Sequence, residues 1–439
     1  MAAGMEKQLL GPWMTFSLVV GGMIGAGIFM LPVSLAPYGA NAIIGWIVSS
    51  IGALALAYSL ARLARSDGLG IQAYIERELG PTIGFLVTWV FWVSVWVSNA
   101  ALAIAAASGL ARIVPSLSSA ASIAWVAISL IIFLAVVNLM GARATGRLAI
   151  LTVAIKILPL LAVILIMGGK GVSKDPFEPL AAMPFSFDNI AAATALTLFA
   201  LLGFETATAP VDKVRNPSRN IPLAILAGTA FVALLYLFSS TAVLLILPAA
   251  TVASSVAPFA DAVGSAWGEQ AALFAAFAMV VSAFGCLNGG IMIGGELGYS
   301  MALRKDLPAS LAHATASGTP VLAQLVATGL TIALVLLNMG RGTAGLFTFL
   351  ILLTTSTTLW LYLAGAVAAL KQRPSLGPTL VIVVGIIFTA FAFYGSGFEA
   401  NAWGVVLLAA GLVIRAVMRR VNSRASIPVP GDAPAALRE

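Results

Sequence analysis

The chain reads as an all-α polytopic membrane protein of twelve transmembrane helices, with two five-helix units in opposite orientation followed by two further helices. Three observations predict this. The 439 residues are 61% hydrophobic and only 9% charged, against about a quarter charged in a soluble domain, and mean hydropathy is +1.05. Apolar stretches of about 20 residues, the length that crosses a bilayer, recur along almost the whole chain. Two of them are broken by glycine in a similar manner, at GGMIGAGIF (21–29) and at GFE (203–205).

On the 20-residue ruler, the elements follow in order. Residues 1–11 form a short cytoplasmic segment; it carries Glu6 and Lys7, and the apolar stretch after it is too long for a cleaved signal. Spans at 12–37, 40–62, 81–112, 120–140 and 147–168 make a first repeat over 12–168. Spans at 187–211, 221–247, 269–303, 320–338 and 343–370 make a second over 187–370. An odd number of helices reverses the side of the chain, so a five-span repeat inserts inverted. Spans at 376–395 and 401–418 fall outside the repeat, in 376–420, and the Pro-bearing tail 421–439 reads as disordered. Two connections carry structure. GIQAYIERELG (70–80) has a helical period and fits the inner interface, and 251–268 predicts one short outer helix capped by Ser254 or Ser255.

Charge orients the chain. Of 23 Lys and Arg, eighteen fall in segments on the side of the N-terminus, four (Arg112, Lys170, Lys174, Arg341) on the other side, and Lys156 within a span. The positive-inside rule then places both termini in the cytoplasm of a bacterial inner (plasma) membrane. The same distribution assigns the net charge of +7 to loops rather than to nucleic acid. Cys286 is the only cysteine and His313 the only histidine, so no internal disulfide, metal site or cofactor is expected. No nucleophile and base pair points to an enzyme.

The breaks carry the chemistry. Lipid gives backbone groups no hydrogen-bond partners, so irregular backbone at membrane depth lines a cavity or a ligand. Paired broken helices in two halves are the sequence signature of a secondary transporter's site. Unwinding at Met23, Ile24, Gly25, Ala26 and Gly27 exposes amides at the start of the second half-helix, which favour a carboxylate. Carbonyls ending the first half-helix suit an ammonium. Close helix packing through Gly22 and Ala26 is the competing reading. Leu202 and Gly203 form the second break, beside Glu205, a carboxylate inside the bilayer and so a functional candidate. Lys156 lies nine residues from Arg147, about 13 Å along a helix; it either faces the cavity as a fixed cation or snorkels to the interface. Glu296 precedes Arg304 by two turns, as a gate or an inner-end ion pair. Phe91, Trp92, Trp96 and Asn99 descend one helix, where Phe91 offers a cap for a pocket and Asn99 needs a partner.

At these residues the chain resembles the amino acid–polyamine–organocation transporter superfamily, most nearly its arginine/agmatine antiporter branch. The similarity covers nearly all of 10–420 and rests on GGMIGAGIFMLP (21–32), LGFETATAPVDKVRNPSRNIP (202–222) and SGTPV (317–321). It implies a leucine-transporter-like fold with alternating access. It further implies that a substrate carboxylate meets amides of Ala26 and Gly27, and that an α-amino group meets carbonyls near Met23, Phe199 and Leu202. Phe199 becomes an aromatic gate and Glu205 a gating, pH-responsive glutamate. Lys156 resembles a fifth-helix lysine whose ammonium replaces sodium against the first break. Asn99 and Thr354 fall near the side-chain pocket. Gly22, Phe199 and Gly290–Ile291 replace an Asn and two Trp of the arginine-exchanging branch, which points at least equally to a smaller or more neutral amino acid.

The expected function is therefore secondary active transport of an amino acid, proton-coupled or by exchange. The alternative is antiport of a basic amino acid or amine, and the alternative of another class is an ion channel. The partners are the substrate, protons and the lipid bilayer, with a homodimer left open.

Overall fold

The computed structural model describes residues 11–25, 27–63, 71–139, 142–169, 180–205, 214–315 and 318–422, without the side chains of 71, 142–154 and 422. Ala26, Ser317, the middle of the second family motif (206–213) and the tail beyond 422 lie outside it. The described residues that form regular elements are almost wholly helical.

Pro12 stands at the first helical position of α1 (Pro12–Met23), where its missing N–H costs nothing. The chain then breaks and resumes as α2 (Gly27–Leu35), and the two halves of this span are bent by 44°. There follow α3 (Asn41–Leu63), α4 (Ile71–Leu79), α5 (Pro81–Ile113), α6 (Ala120–Leu139), α7 (Ala142–Gly169) and α8 (Phe187–Leu201). After the second break come α9 (Pro217–Ile246), α10 (Ala249–Ser254), α11 (Pro258–Trp267), α12 (Glu269–Leu303), α13 (Val321–Asn338), α14 (Gly342–Lys371), α15 (Leu376–Gly395) and α16 (Gly397–Asn422).

Among the described residues eight helical stretches are long and apolar enough to cross a membrane, and the bent pair adds a ninth. Ile155–Gly169 and Phe187–Leu201 are apolar but shorter. One of the eight, Val321–Lys371, is 51 residues, which as a straight helix runs about 75 Å, over twice the hydrocarbon thickness. It turns at Met339–Arg341, where Gly342 takes φ +71°. Among the described residues helix lies in every stretch that the sequence ruler selects, and α12 and α15 match the expected ends.

Several details differ from expectation: α7 starts five residues and α9 four residues early. The outer connection holds two helices, α10 and α11, because Pro258 opens a second one. Ser254 closes α10, its Oγ donating to Ala250 O at 3.0 Å, while Ser255 Oγ accepts from Ala257 N and donates to Asp261 Oδ2. Finally α16 starts four residues early, since Gly397 at φ +78° lets the helix resume directly after Ser396.

At the centre α5 packs against α12 and α14, and 78% of its most apolar window is buried. Trp92 Nε1 donates to Gly294 O of α12 at 2.8 Å, and Trp89 Nε1 to Leu407 O of α16 at 2.7 Å. Charged contacts fasten the helix ends. Arg112 bonds Asp261 at 2.9 Å and both carboxylate oxygens of Glu269. At the opposite end Asp306, 3% exposed, accepts from Nε of both Arg415 and Arg419 at 2.9 Å. The amphipathic segment after α3 is indeed helix α4; Tyr74 and Ile75 are fully buried, and Glu76 takes Arg304 Nη1 at 2.6 Å.

Candidate functional site

Both breaks are built from backbone. In the first, Ile24 N still bonds Val20 O at 2.9 Å and Gly25 N folds back onto Met23 O at 2.8 Å, so the helical ladder stops at Gly25. Gly27 restarts it as the first residue of α2, whose leading amides lack intrahelical partners. In the second, Leu202 N reaches back to Phe199 O at 3.2 Å, then Gly203 adopts φ +106°. That conformation strains any residue bearing a Cβ.

The two breaks touch. A Cβ on Gly203 would stand 2.9 Å from Gly22 O and 3.5 Å from Met23 Cα, so the second break lies directly against the end of α1. The carbonyl ends of α1 and α8 and the amide end of α2 therefore meet in one neighbourhood. Gly25 is roomier: a Cβ there meets Leu102 Cδ2 at 3.5 Å and Cys286 Sγ at 3.8 Å.

Phe199 covers this neighbourhood from the α2 side. Its ring lies so close to Gly27 that a Cβ would fall 2.4 Å from Cε1, and it meets Phe347 of α14 edge to face at 6.4 Å. All nine residues of α2 are buried, Phe29 packs on Phe259 at 5.3 Å, and Ser34 bonds Thr348 at 2.7 Å. The α1 side is looser. Trp13 is 80% exposed, Met14, Leu18 and Gly22 are exposed along the same face, and α1 packs chiefly on α9.

Glu205 closes the second break on itself. Its Oε2 accepts from Gly203 N at 3.2 Å and from Tyr362 OH of α14 at 2.9 Å, and Phe204 stacks on the Tyr362 ring at 4.9 Å. Lys156 is 4% exposed, and its Nζ lies 3.1 Å from Cys286 Sγ, which lies 3.4 Å from Ile24 O. The lysine thus points inward, toward the first break.

The other expected residues divide. Asn99 is 3% exposed, and its Oδ1 occupies the place where a Gly290 side chain would begin, 2.0 Å from that Cβ position. Asn99 therefore explains the glycine at 290. Thr354 is buried, but its hydroxyl is committed to Leu350 O at 2.8 Å. Phe91 is half-buried against the core, two turns from Asn99. The inner-end ion pair between Glu296 and Arg304 is not formed, because Arg304 reaches Glu76. Glu296 instead lines a cavity of about 40 Å³ with Asn138, Met292 and Gln324.

Sequence reasoning missed Tyr236, whose OH donates to Met23 O at 3.0 Å, and Tyr362. Both are fully buried phenols in apolar helices, a setting in which the OH needs a partner. That was the available signal.

Known proteins share this architecture of sequence. The chain matches the amino acid permease family over residues 10–414. It is 30% identical over 400 residues to the putrescine transporter PotE of Haemophilus influenzae, covering 88% of this chain and 91% of that one. The putrescine transporter PotE of Escherichia coli K12 is 29% identical over 88% of this chain and 90% of its own. The cadaverine/lysine antiporter of Escherichia coli K12 is 28% identical over 96% of this chain and 97% of its own.

Proposed function

The chain belongs to the amino acid permease family, and we propose that it is a secondary active transporter for an amino acid or small amine, working by alternating access in a bacterial inner membrane. One observation carries this reading: the two broken spans meet, Gly203 against Gly22 and Met23, so that helix ends of both signs face one place. Carbonyl ends suit a primary ammonium, and the amide end of α2 suits a carboxylate. An α-amino acid uses both. A diamine uses the carbonyl ends, with Glu205, bonded to Gly203 N, as a carboxylate at the second break. The relatives named for putrescine, cadaverine and lysine support the amine-bearing class, and the ammonium is the feature common to all candidates.

Phe199 and the buried α2 form the shut gate on the outer side, since α1 leads in from the cytoplasmic N-terminus. That orientation follows from basic residues concentrated in the inner loops. Exchange of one amine for another and symport with protons share the same site; Lys156 beside the first break supplies the proton-linked charge. Two five-helix repeats, 12–168 and 187–370, then rock around the paired breaks, with 376–420 as accessory helices.

The test is counterflow in liposomes loaded with lysine, putrescine, cadaverine or alanine, with and without sodium. Saturable exchange of at least one amine without sodium is expected. Conductance without saturable exchange would assign a channel instead.

A further inference from the structure

Glu296, a carboxylate within α12, takes no part in the paired breaks. Arg304, its basic neighbour in sequence, is bound to Glu76, and among the described residues no group forms an ion pair or hydrogen bond with Glu296. A charge inside a span is costly and takes a partner. Here it faces a cavity of about 40 Å³ between α6, α12 and the start of α13, whose wall includes Asn138, Gln324 and Thr319.

The amides beside it show which atoms look into that space. Gln324 is 2% exposed and Asn138 4%. Gln324 Nε2 donates to Ala135 O at 2.9 Å, and Asn138 Nδ2 donates to Leu134 O at 2.9 Å and to Asn288 Oδ1 at 2.7 Å. A backbone carbonyl only accepts, so chemistry assigns both nitrogens. With its nitrogen turned to α6, Gln324 turns its oxygen to the cavity that it lines. Bonding between helices through polar side chains accounts for the two nitrogens. It gives no role to the Gln324 oxygen or to the Glu296 carboxylate.

We propose that Glu296 and Gln324, with the start of α13, bind one monovalent alkali cation at a site separate from the paired breaks. Size and charge select this class. The cavity of about 40 Å³ is little larger than the ~30 Å³ that one water occupies. It is far smaller than the roughly 300 Å³ of a small-molecule pocket, so an amino acid or diamine does not fit. One carboxylate among neutral amides balances one positive charge. Calcium takes about six to eight oxygen ligands, and its second charge would stay uncompensated. Oxygen donors suit hard cations, and the described residues lining the cavity include no cysteine or histidine. Glu296 is exposed while both amides are buried, so the cavity opens at the carboxylate and water completes the ligand set.

The site is distinct from the breaks. None of the groups described at the breaks comes from α6 or α13. A Cβ on Gly295 would stand 3.0 Å from Gln324 Cβ, whereas one on Gly290 would meet Asn99, so the two neighbourhoods lie on different faces of α12. The described residues of α6 and α13 carry no titratable side chain, which leaves a proton on Glu296 as the rival occupant.

The experiment follows the thermal midpoint of the purified full chain in detergent, without substrate, at about pH 8, where a carboxylate is ionised. Sodium chloride or potassium chloride is titrated against choline chloride at constant ionic strength. An ion that binds the folded state raises the midpoint saturably, and a rise of about 2 °C is expected. The ion that gives it at the lower concentration is the ligand. Glu296→Gln keeps the shape, loses the charge and should abolish the rise, while Glu205→Gln, at the second break, should keep it. No rise with either ion overturns the proposal. An equal rise in Glu296→Gln, a general salt effect, also overturns it. A midpoint that follows pH through Glu296 and ignores both ions assigns the cavity to a proton and overturns it too. Transport plays no part in the readout, so a failure of amine exchange leaves this test intact.

Discussion

Gly203→Ala is the sharpest probe of the paired breaks. At φ +106° an alanine is strained whatever space it has, at a cost of about 1–3 kcal/mol. Its Cβ would also sit 2.9 Å from Gly22 O and 3.3 Å from Gly22 C, both backbone atoms that cannot rotate away. The end of α1 must therefore retreat from the second break by a few tenths of an ångström. Where substrate requires the two breaks together, that cost appears in affinity as a loss of between about 5- and 150-fold. Gly289 serves as the control, since a Cβ there meets nothing within 4 Å. The assay is the substrate-dependent rise in thermal midpoint of detergent-solubilised protein, which reports binding to the folded state, alongside the half-saturation of counterflow. Unchanged affinity in a folded Gly203→Ala protein refutes the argument that the breaks form the site. An equal loss in Gly289→Ala would point to general helix damage.

Glu205→Gln and Tyr362→Phe each disturb the bond that closes the second break, and both should change the pH dependence of uptake more than Glu296→Gln does; three matching pH profiles would remove Glu205 from gating. Asp306→Asn leaves Arg415, 5% exposed, facing a neutral amide, and should cost about 3–5 kcal/mol, read as a lower denaturation midpoint with substrate preference kept. Arg419→Ala, at a side chain 52% exposed, should cost under about 1 kcal/mol, so a drop as large as that of Asp306→Asn would contradict the assignment. In a Cys286→Ala background, a cysteine at Ser173 should label from outside and one at Ser310 only from inside; reversed labelling overturns the orientation.

The helices were legible because membrane length and loop charge are local properties. Their ends fail where one residue's backbone freedom decides. Polar Glu399 falls between the expected spans 376–395 and 401–418, yet Gly397 lets α16 begin ahead of it. The second break was legible for a similar local reason, since glycine marks the positive φ at Gly203. Side-chain partners were not legible. Tyr236 meets Met23 across 213 residues, Cys286 meets Ile24 across 262, and Tyr362 meets Glu205 across 157. The inner ion pair fails for the same reason: Glu296 is Arg304's neighbour in sequence, but Arg304 finds Glu76 across 228 residues.

That long-range set of partners has a mechanical consequence. The end of α1 is held by groups from three other helices: the Tyr236 hydroxyl of α9, the Cys286 thiol of α12 and the Gly203 backbone after α8. The ladder of α1 stops at Gly25, so no continuous hydrogen-bonded helix transmits its motion stiffly into α2. Half-helix α2 is wholly buried beneath Phe199, Phe259 and Thr348. A change at any of the three holding groups therefore falls first on α1, while α2 keeps its packing. On the proposed function, a substrate ammonium arriving at the same carbonyls would compete with the tyrosine and the thiol for Met23 O and Ile24 O. Binding and gate position are then linked through two backbone oxygens, since a ligand shifts a conformational equilibrium only by its differential affinity for the two states.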